Sequence, residues 1–149
     1  MKHIFIIFLF FNIFLNKLYS EQLIRRVTGY AEVEKYILSD NTSISHYKNK
    51  GTWTDNKSNY GIETCKGTIV INPEGTIIDY LLFCNGKDQK GHTYTAQLQR
   101  STNMDAGTGY YLYIDGTGTW KRLIGKKCNY AINYLDDAYL TTDKCNIKK

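Results

Sequence analysis

The chain has 149 residues with 19 basic and 14 acidic side chains, a formal net charge of +5. Lys2 and Lys17 fall in the first twenty residues, so the other 129 carry 17 basic against 14 acidic groups, a net +3. That near balance excludes a charge argument for nucleic acid, and the length suits one domain that buries roughly two-thirds of its unfolded surface without metal or partner.

Residues 1–20 place Lys2 and His3 before an apolar run from Ile4 to Leu15, broken only by Asn12, and end on Leu18, Tyr19 and Ser20 ahead of Glu21. This is the pattern of a secretory signal peptide, with a retained N-terminal anchor as the alternative. Twelve residues fall short of the ~20 that span a bilayer, so no stable membrane insertion is expected once the segment is removed. The expected location is secreted or periplasmic.

From Arg26 onward, stretches rich in Thr, Tyr, Ile and Val alternate with clusters of Gly, Asn, Asp, Lys and Ser, the texture of strands and hairpins. Eight strands are predicted: Val27 to Leu38, Ser43 to Thr54, Tyr60 to Asn72, Thr76 to Cys84, Thr93 to Arg100, Gly109 to Asp115, Leu123 to Leu135, and Ala138 to Ile147. Ala31 to Leu38 contains good helix formers, but Val33, Lys35 and Ile37 alternate with Glu32, Glu34 and Tyr36, and strand is preferred. The connections are short and carry turn chemistry; the one proline, Pro73, falls in a turn. Residues 21–149 therefore read as one all-β domain, an eight-stranded antiparallel up-and-down β-barrel, because closure removes the exposed edges of an open meander.

Cys65, Cys84, Cys128 and Cys145 all follow the first twenty residues, and an even count in an exported chain implies two disulfides. A two-residue turn at Asp136 and Asp137 opposes Leu135 to Ala138 and, further along, Cys128 to Cys145 at a non-hydrogen-bonded position, where Cα atoms come closest. The turn around Pro73 and Glu74 opposes Cys65 to Leu82, leaving Cys84 two residues beyond on the same face. A bulge, with Gly61 or Gly67 as the expected place, closes that gap. The expected bonds are Cys65 to Cys84 and Cys128 to Cys145, each worth roughly 3 kcal/mol by chain entropy. No Cys-x-x-Cys is present and only His46 and His92 remain as imidazoles, so neither a metal nor a cofactor is expected.

Catalytic motifs are sparse. His46 near Glu34 or Asp40 is a candidate general base, weighed against an ordinary surface histidine. Asp79 lies within the apolar run IIDYLLF; pointing inward among Ile77, Leu81 and Phe83 it would be a perturbed acid or base, and pointing outward it would be an ordinary surface carboxylate. Asp55, Lys57 and Asn59 have the spacing of a calcium loop, but Lys57 puts a cation where an oxygen ligand belongs. Asn41-Thr42-Ser43 and Asn56-Lys57-Ser58 match the glycosylation sequon. Five of six phenylalanines belong to the first twenty residues, which leaves Phe83 against twelve tyrosines and two tryptophans. Both ring types form strands well, so the bias favours a hydroxyl on the ring, as suits a ligand-lined cavity or a half-exposed wall.

The segment GTGTWKRLIG, with Gly116, Gly118, Trp120 and Gly125, resembles a pattern in allene oxide cyclases and dirigent proteins, where a glycine-rich turn and an aromatic residue lead into a long strand. The resemblance implies a calycin-like barrel; no catalytic residue of those families maps onto this chain. Gly51-Thr52-Trp53 is similar to the Gly-x-Trp of lipocalins and the Gly-Thr-Trp of avidins, though it falls on the second strand. A looser likeness to small exported bacterial proteins carries no function. The leading expectation is a non-enzymatic exported barrel that binds a small apolar or aromatic molecule through Tyr111, Tyr113, Trp53 and Trp120. The alternatives are a barrel isomerase or cyclase using Asp79, and an adhesion or inhibitor module with its tyrosines in one outer patch.

Overall fold

The structure, a computed structural model, describes residues 21–100 and 107–147. The expected signal peptide lies outside them. Eight antiparallel strands follow in order: β1 (Glu21–Ile37), β2 (Ser43–Asp55), β3 (Tyr60–Ile71), β4 (Ile77–Asp88), β5 (Thr93–Arg100), β6 (Gly107–Gly116), β7 (Lys127–Leu135) and β8 (Ala138–Ile147). Each pairs with the next, and β8 returns to β1 to close the barrel.

The period-two pattern sets which side chains face inward. In β2, Ser43, Ser45, Tyr47, Asn49, Gly51 and Trp53 are buried while His46, Lys48, Lys50 and Thr52 are exposed. The helix formers of Ala31 to Ile37 are held as strand because each pairs with a β2 residue, from Ala31 opposite Asn49 to Ile37 opposite Ser43. Pairing to β8 stops at Tyr30 opposite Ala138, so the end of β1 overhangs the rim.

Three boundaries differ from the sequence expectation by more than two residues. β1 starts at Glu21, six residues early, because Leu23, Arg25 and Val27 all point inward and the charge of Arg25 hides the alternation. β4 runs on to Asp88, since Asn85, Gly86 and Lys87, which read as turn residues, pair with both β3 and β5. Leu123 does not open a strand: Gly118–Leu123 is a 3-10 helix, and β7 begins at Lys127.

Cys65 is bonded to Cys84 and Cys128 to Cys145. The two-residue offset at β3 and β4 arises in two single steps. The turn holds three residues between Asn72 and Thr76, with Gly75 at φ +84, and one further residue is taken up where Val70 opposes Asp79 but Ile71 opposes Ile77. The irregularity therefore lies between Val70 and Ile71, away from Gly61 and Gly67, close to the turn where the ladder is least constrained.

Glycines account for part of the aromatic bias. On the inner wall Trp53 opposes Gly61, Tyr94 opposes Gly86 and Tyr130 opposes Gly109, and in each pair the ring covers the glycine. Such a pairing lets a strongly curved sheet fill the missing side chain from the neighbouring strand.

Candidate functional site

The barrel interior has two unlike halves. The half at the β2–β3, β4–β5 and β6–β7 turns is filled. The 3-10 helix inserts Trp120 and Leu123, and Trp120 packs edge-on against Trp53 with ring centres 5.3 Å apart and tilted against Tyr94 at 4.3 Å. Tyr113 stacks on Trp120 at 6.0 Å. Both indole N–H groups are satisfied, Trp53 donating to the Ile62 carbonyl and Trp120 to Asp88 Oδ2 at 3.2 Å each. Gly118 supports the helix start at φ +52, a conformation a side chain resists.

Above this aromatic plug lies an ion cluster. Arg25 of β1 is 1% exposed and donates from Nε to Asp143 Oδ2 of β8 at 2.7 Å and from Nη1 to Glu63 Oε2 of β3 at 2.8 Å. Its Nη2 is also 2.7 Å from Asp143 Oδ2, but without hydrogen-bond geometry, so this close approach is a charge contact rather than a second bond. Arg25 Nη1 also bonds the Tyr94 hydroxyl, Tyr94 donates to Glu63 Oε2 at 2.6 Å, and Tyr111 donates to Glu63 Oε1 at 3.2 Å. The guanidinium carbon sits 5.0 Å from the Tyr94 ring centre and 5.1 Å from that of Tyr111.

Two carboxylates thus share one cation in a buried interior, and Asp143 Oδ1 is buried with no hydrogen-bond partner among the described residues. Burial raises the Asp143 carboxyl to about 6 against the opposing pull of Arg25. The cluster is poised structure rather than a ready acid, since Glu63 and Asp143 are each held by the guanidinium.

The other half is open among the described residues. A cavity of about 260 Å³ reaches from the cluster to the mouth between the β1–β2, β3–β4 and β7–β8 turns. Its rings are Tyr47, Tyr80, Tyr111, Tyr130 and Tyr134, and its aliphatic lining is Val33, Ile69, Leu82, Leu98 and Ile132. Asn49, Thr141 and Arg100 supply the remaining polar surface. The hydroxyls pair across the wall: Tyr47 with Tyr134 at 3.1 Å, and Tyr80 with Tyr130. Asn49 donates to the Tyr47 hydroxyl at 3.1 Å. Burial raises the hydroxyls of Tyr47, Tyr80, Tyr111 and Tyr130, so they stay protonated near neutral pH. A second, larger volume on the outer wall, beside Arg26, Tyr60 and Lys87, is an open groove between side chains and encloses nothing.

Of the residues expected to face a ligand, Tyr111 lines the cavity, whereas Tyr113, Trp53 and Trp120 belong to the aromatic plug beneath the ion cluster. Asp79 is exposed on the outer face, opposite Val70. His46 is also exposed, 3.4 Å from the Thr68 hydroxyl and edge-on to Tyr36. The Asp55 carboxylate accepts from the Lys57 and Asn59 backbone N–H groups and closes its own turn. Of the two sequons, Asn56 spends its amide on β1, accepting from Ile24 and donating to the Gln22 carbonyl, while Asn41 is exposed in a turn.

Arg25, Glu63 and Asp143 escaped sequence reading, although a signal was present. Cys65 and Cys145 must face their partners on the inner wall, which places Glu63 and Asp143, each two residues away, on that same face. Comparison of the chain with protein-family models, curated proteins and solved structures returns no match.

Proposed function

We propose that the protein is an exported, non-enzymatic binding protein whose barrel takes a small, partly apolar molecule through its open mouth. The observation that carries this reading is the unequal filling of one interior. Plugging one end with tryptophans and leaving about 260 Å³ at the other is costly to stability unless something occupies the space. An eight-stranded barrel is wide enough to be filled by side chains or to hold one small ligand, and here one half is filled while the other leaves a cavity. The two disulfides fit an oxidising compartment. No helix among the described residues is long and apolar enough to cross a membrane.

The isomerase or cyclase reading has no inward-facing Asp79 to rest on. The adhesion reading needs one tyrosine patch, yet Tyr47, Tyr94, Tyr111, Tyr113, Tyr130 and Tyr139 are buried. A thermal-shift panel of small aromatic and short aliphatic molecules tests the proposal. A ligand at a hundredfold excess over its Kd stabilises by about 2.7 kcal/mol, a rise of several degrees. Saturable stabilisation that disappears in Ile69→Trp, where the cavity is filled, is the expected result. A flat panel overturns the reading.

A further inference from the structure

The turns of the two ends differ in charge. At the mouth, residues 38–42, 72–76 and 136–137 carry Asp40, Glu74, Asp136 and Asp137 and no lysine or arginine. At the plugged end, residues 56–59, 89–92 and 117–126 carry Lys57, Lys90, Lys121, Arg122 and Lys126, against the carboxylates of Asp55 and Asp88 that close two of those turns. This asymmetry makes the mouth more favourable to a cation than the plugged end is.

The interior continues that bias. Beneath the floor, Glu63 and Asp143 outnumber Arg25, and the unpartnered Asp143 Oδ1 sits two residues along β8 from Thr141, which lines the cavity. This excess of negative charge is local to the cluster and is expensive unless a cation or a proton offsets it; the other cation of the described interior, Arg100, lies in the cavity wall beside Tyr80 and Tyr130. Between that charge and the mouth stand five tyrosine rings, whose faces attract an ammonium group.

We propose that the ligand is a compact organic cation, an aromatic ring bearing a short alkylammonium chain. This rests on the cavity being the ligand site and adds the chemical class of its occupant. The size agrees: a cavity of about 150 Å³ takes benzene, so about 260 Å³ takes a ring with a short chain. The ring lies against Leu82, Leu98 and Ile132, and the ammonium lies on the Tyr47 and Thr141 side, where β2 and β8 flank β1, above Asp143. Arg100, the cation in the wall, belongs to β5, three strands round the barrel from β8, with its guanidinium against Gly107. Of the basic side chains near the rim, Lys48 is paired with Glu32, and Lys35 lies on the overhanging end of β1.

Calorimetry with phenethylamine, phenethyl alcohol and phenylacetate separates the two levels of the argument, because the three probes share size and ring and differ in charge. The amine should bind about tenfold or more tighter than the alcohol, with phenylacetate weakest, and the amine's advantage should shrink as salt is raised. In Asp143→Asn the amine's preference over the alcohol should fall while alcohol binding is retained. The surface pair Asp136→Asn with Asp137→Asn leaves the interior untouched, and Asn tolerates the positive φ at 136; it should slow amine association several-fold and flatten its salt dependence. Equal affinities, or phenylacetate binding tightest, would overturn the charge assignment and leave the cavity as a ligand site. Binding of none of the three, with a flat panel, would overturn both.

Discussion

Arg25 holds two buried carboxylates, and its removal leaves both without a cation in a low-dielectric interior. Arg25→Met should therefore cost about 3 to 5 kcal/mol, the range for breaking a buried pair. Replacing Arg25, Glu63 and Asp143 together with apolar residues of similar volume should cost less than the single change, because no orphaned charge remains; urea denaturation of the two variants makes the comparison. Asp143 also gives the fold a pH signature. Facing Arg25 of β1, Glu63 of β3 and the hydroxyls of Tyr111 and Tyr113, its carboxyl takes a proton near 6 when folded and near 3.8 when unfolded. Between those values the folded state binds more protons, so stability from this group is present at low pH and is lost as pH rises through about 6. Relative to Asp143→Asn, the unchanged protein should gain stability as pH falls from neutral toward 4. Parallel urea midpoints for the two proteins across that range would show that Asp143 does not titrate there.

Strand pairing was legible where a covalent constraint and a turn agreed. The last hairpin is the example: Asp136 and Asp137 fix the turn, Leu135 meets Ala138, and Cys128 bonds Cys145, with Cα atoms 4.4 Å apart as a non-hydrogen-bonded pair requires. Cys128→Ser with Cys145→Ser should lower stability by about 2 to 5 kcal/mol while the barrel still folds, read as a shifted midpoint with retained far-ultraviolet dichroism. The elements that stayed hidden were those whose residues obey a neighbour rather than their own propensity. Asn85, Gly86 and Lys87 look like a turn, yet Gly86 is strand because the Tyr94 ring lies over it, and Leu123 looks like a strand start, yet it plugs the barrel end. A side chain at Gly86 would collide with that ring. Gly86→Ala should thus destabilise by about 1 to 3 kcal/mol, as overpacking does, whereas Gly75→Asn, at an open turn position with nothing near its missing β-carbon, should be milder.

Across the whole molecule, the sequence supports the barrel but hides the division of its interior, because the same inward alternation runs through a filled half and an open half. Volume decides between them, and it depends on where the 3-10 helix and the inward glycines place their neighbours. The two halves should accordingly answer one kind of substitution with opposite signs. Val27, fully buried against Trp53 in the filled half, has no space to receive a larger ring, and Val27→Phe should destabilise by about 1 to 3 kcal/mol through forced rotamers and strand displacement. Leu98 faces the cavity, where added carbon replaces empty space, and Leu98→Phe should stabilise by about 0.5 to 2 kcal/mol, the usual gain from cavity filling, or a few degrees in Tm. The stabilised variant should also bind small aromatic ligands more weakly, since the added ring occupies their place. Thermal melts of both variants, with and without a ligand identified from the panel, measure the two effects together. Destabilisation by Leu98→Phe as large as that by Val27→Phe would mean that both halves are equally packed, and the reading of the open half as a binding site would fall with the cavity.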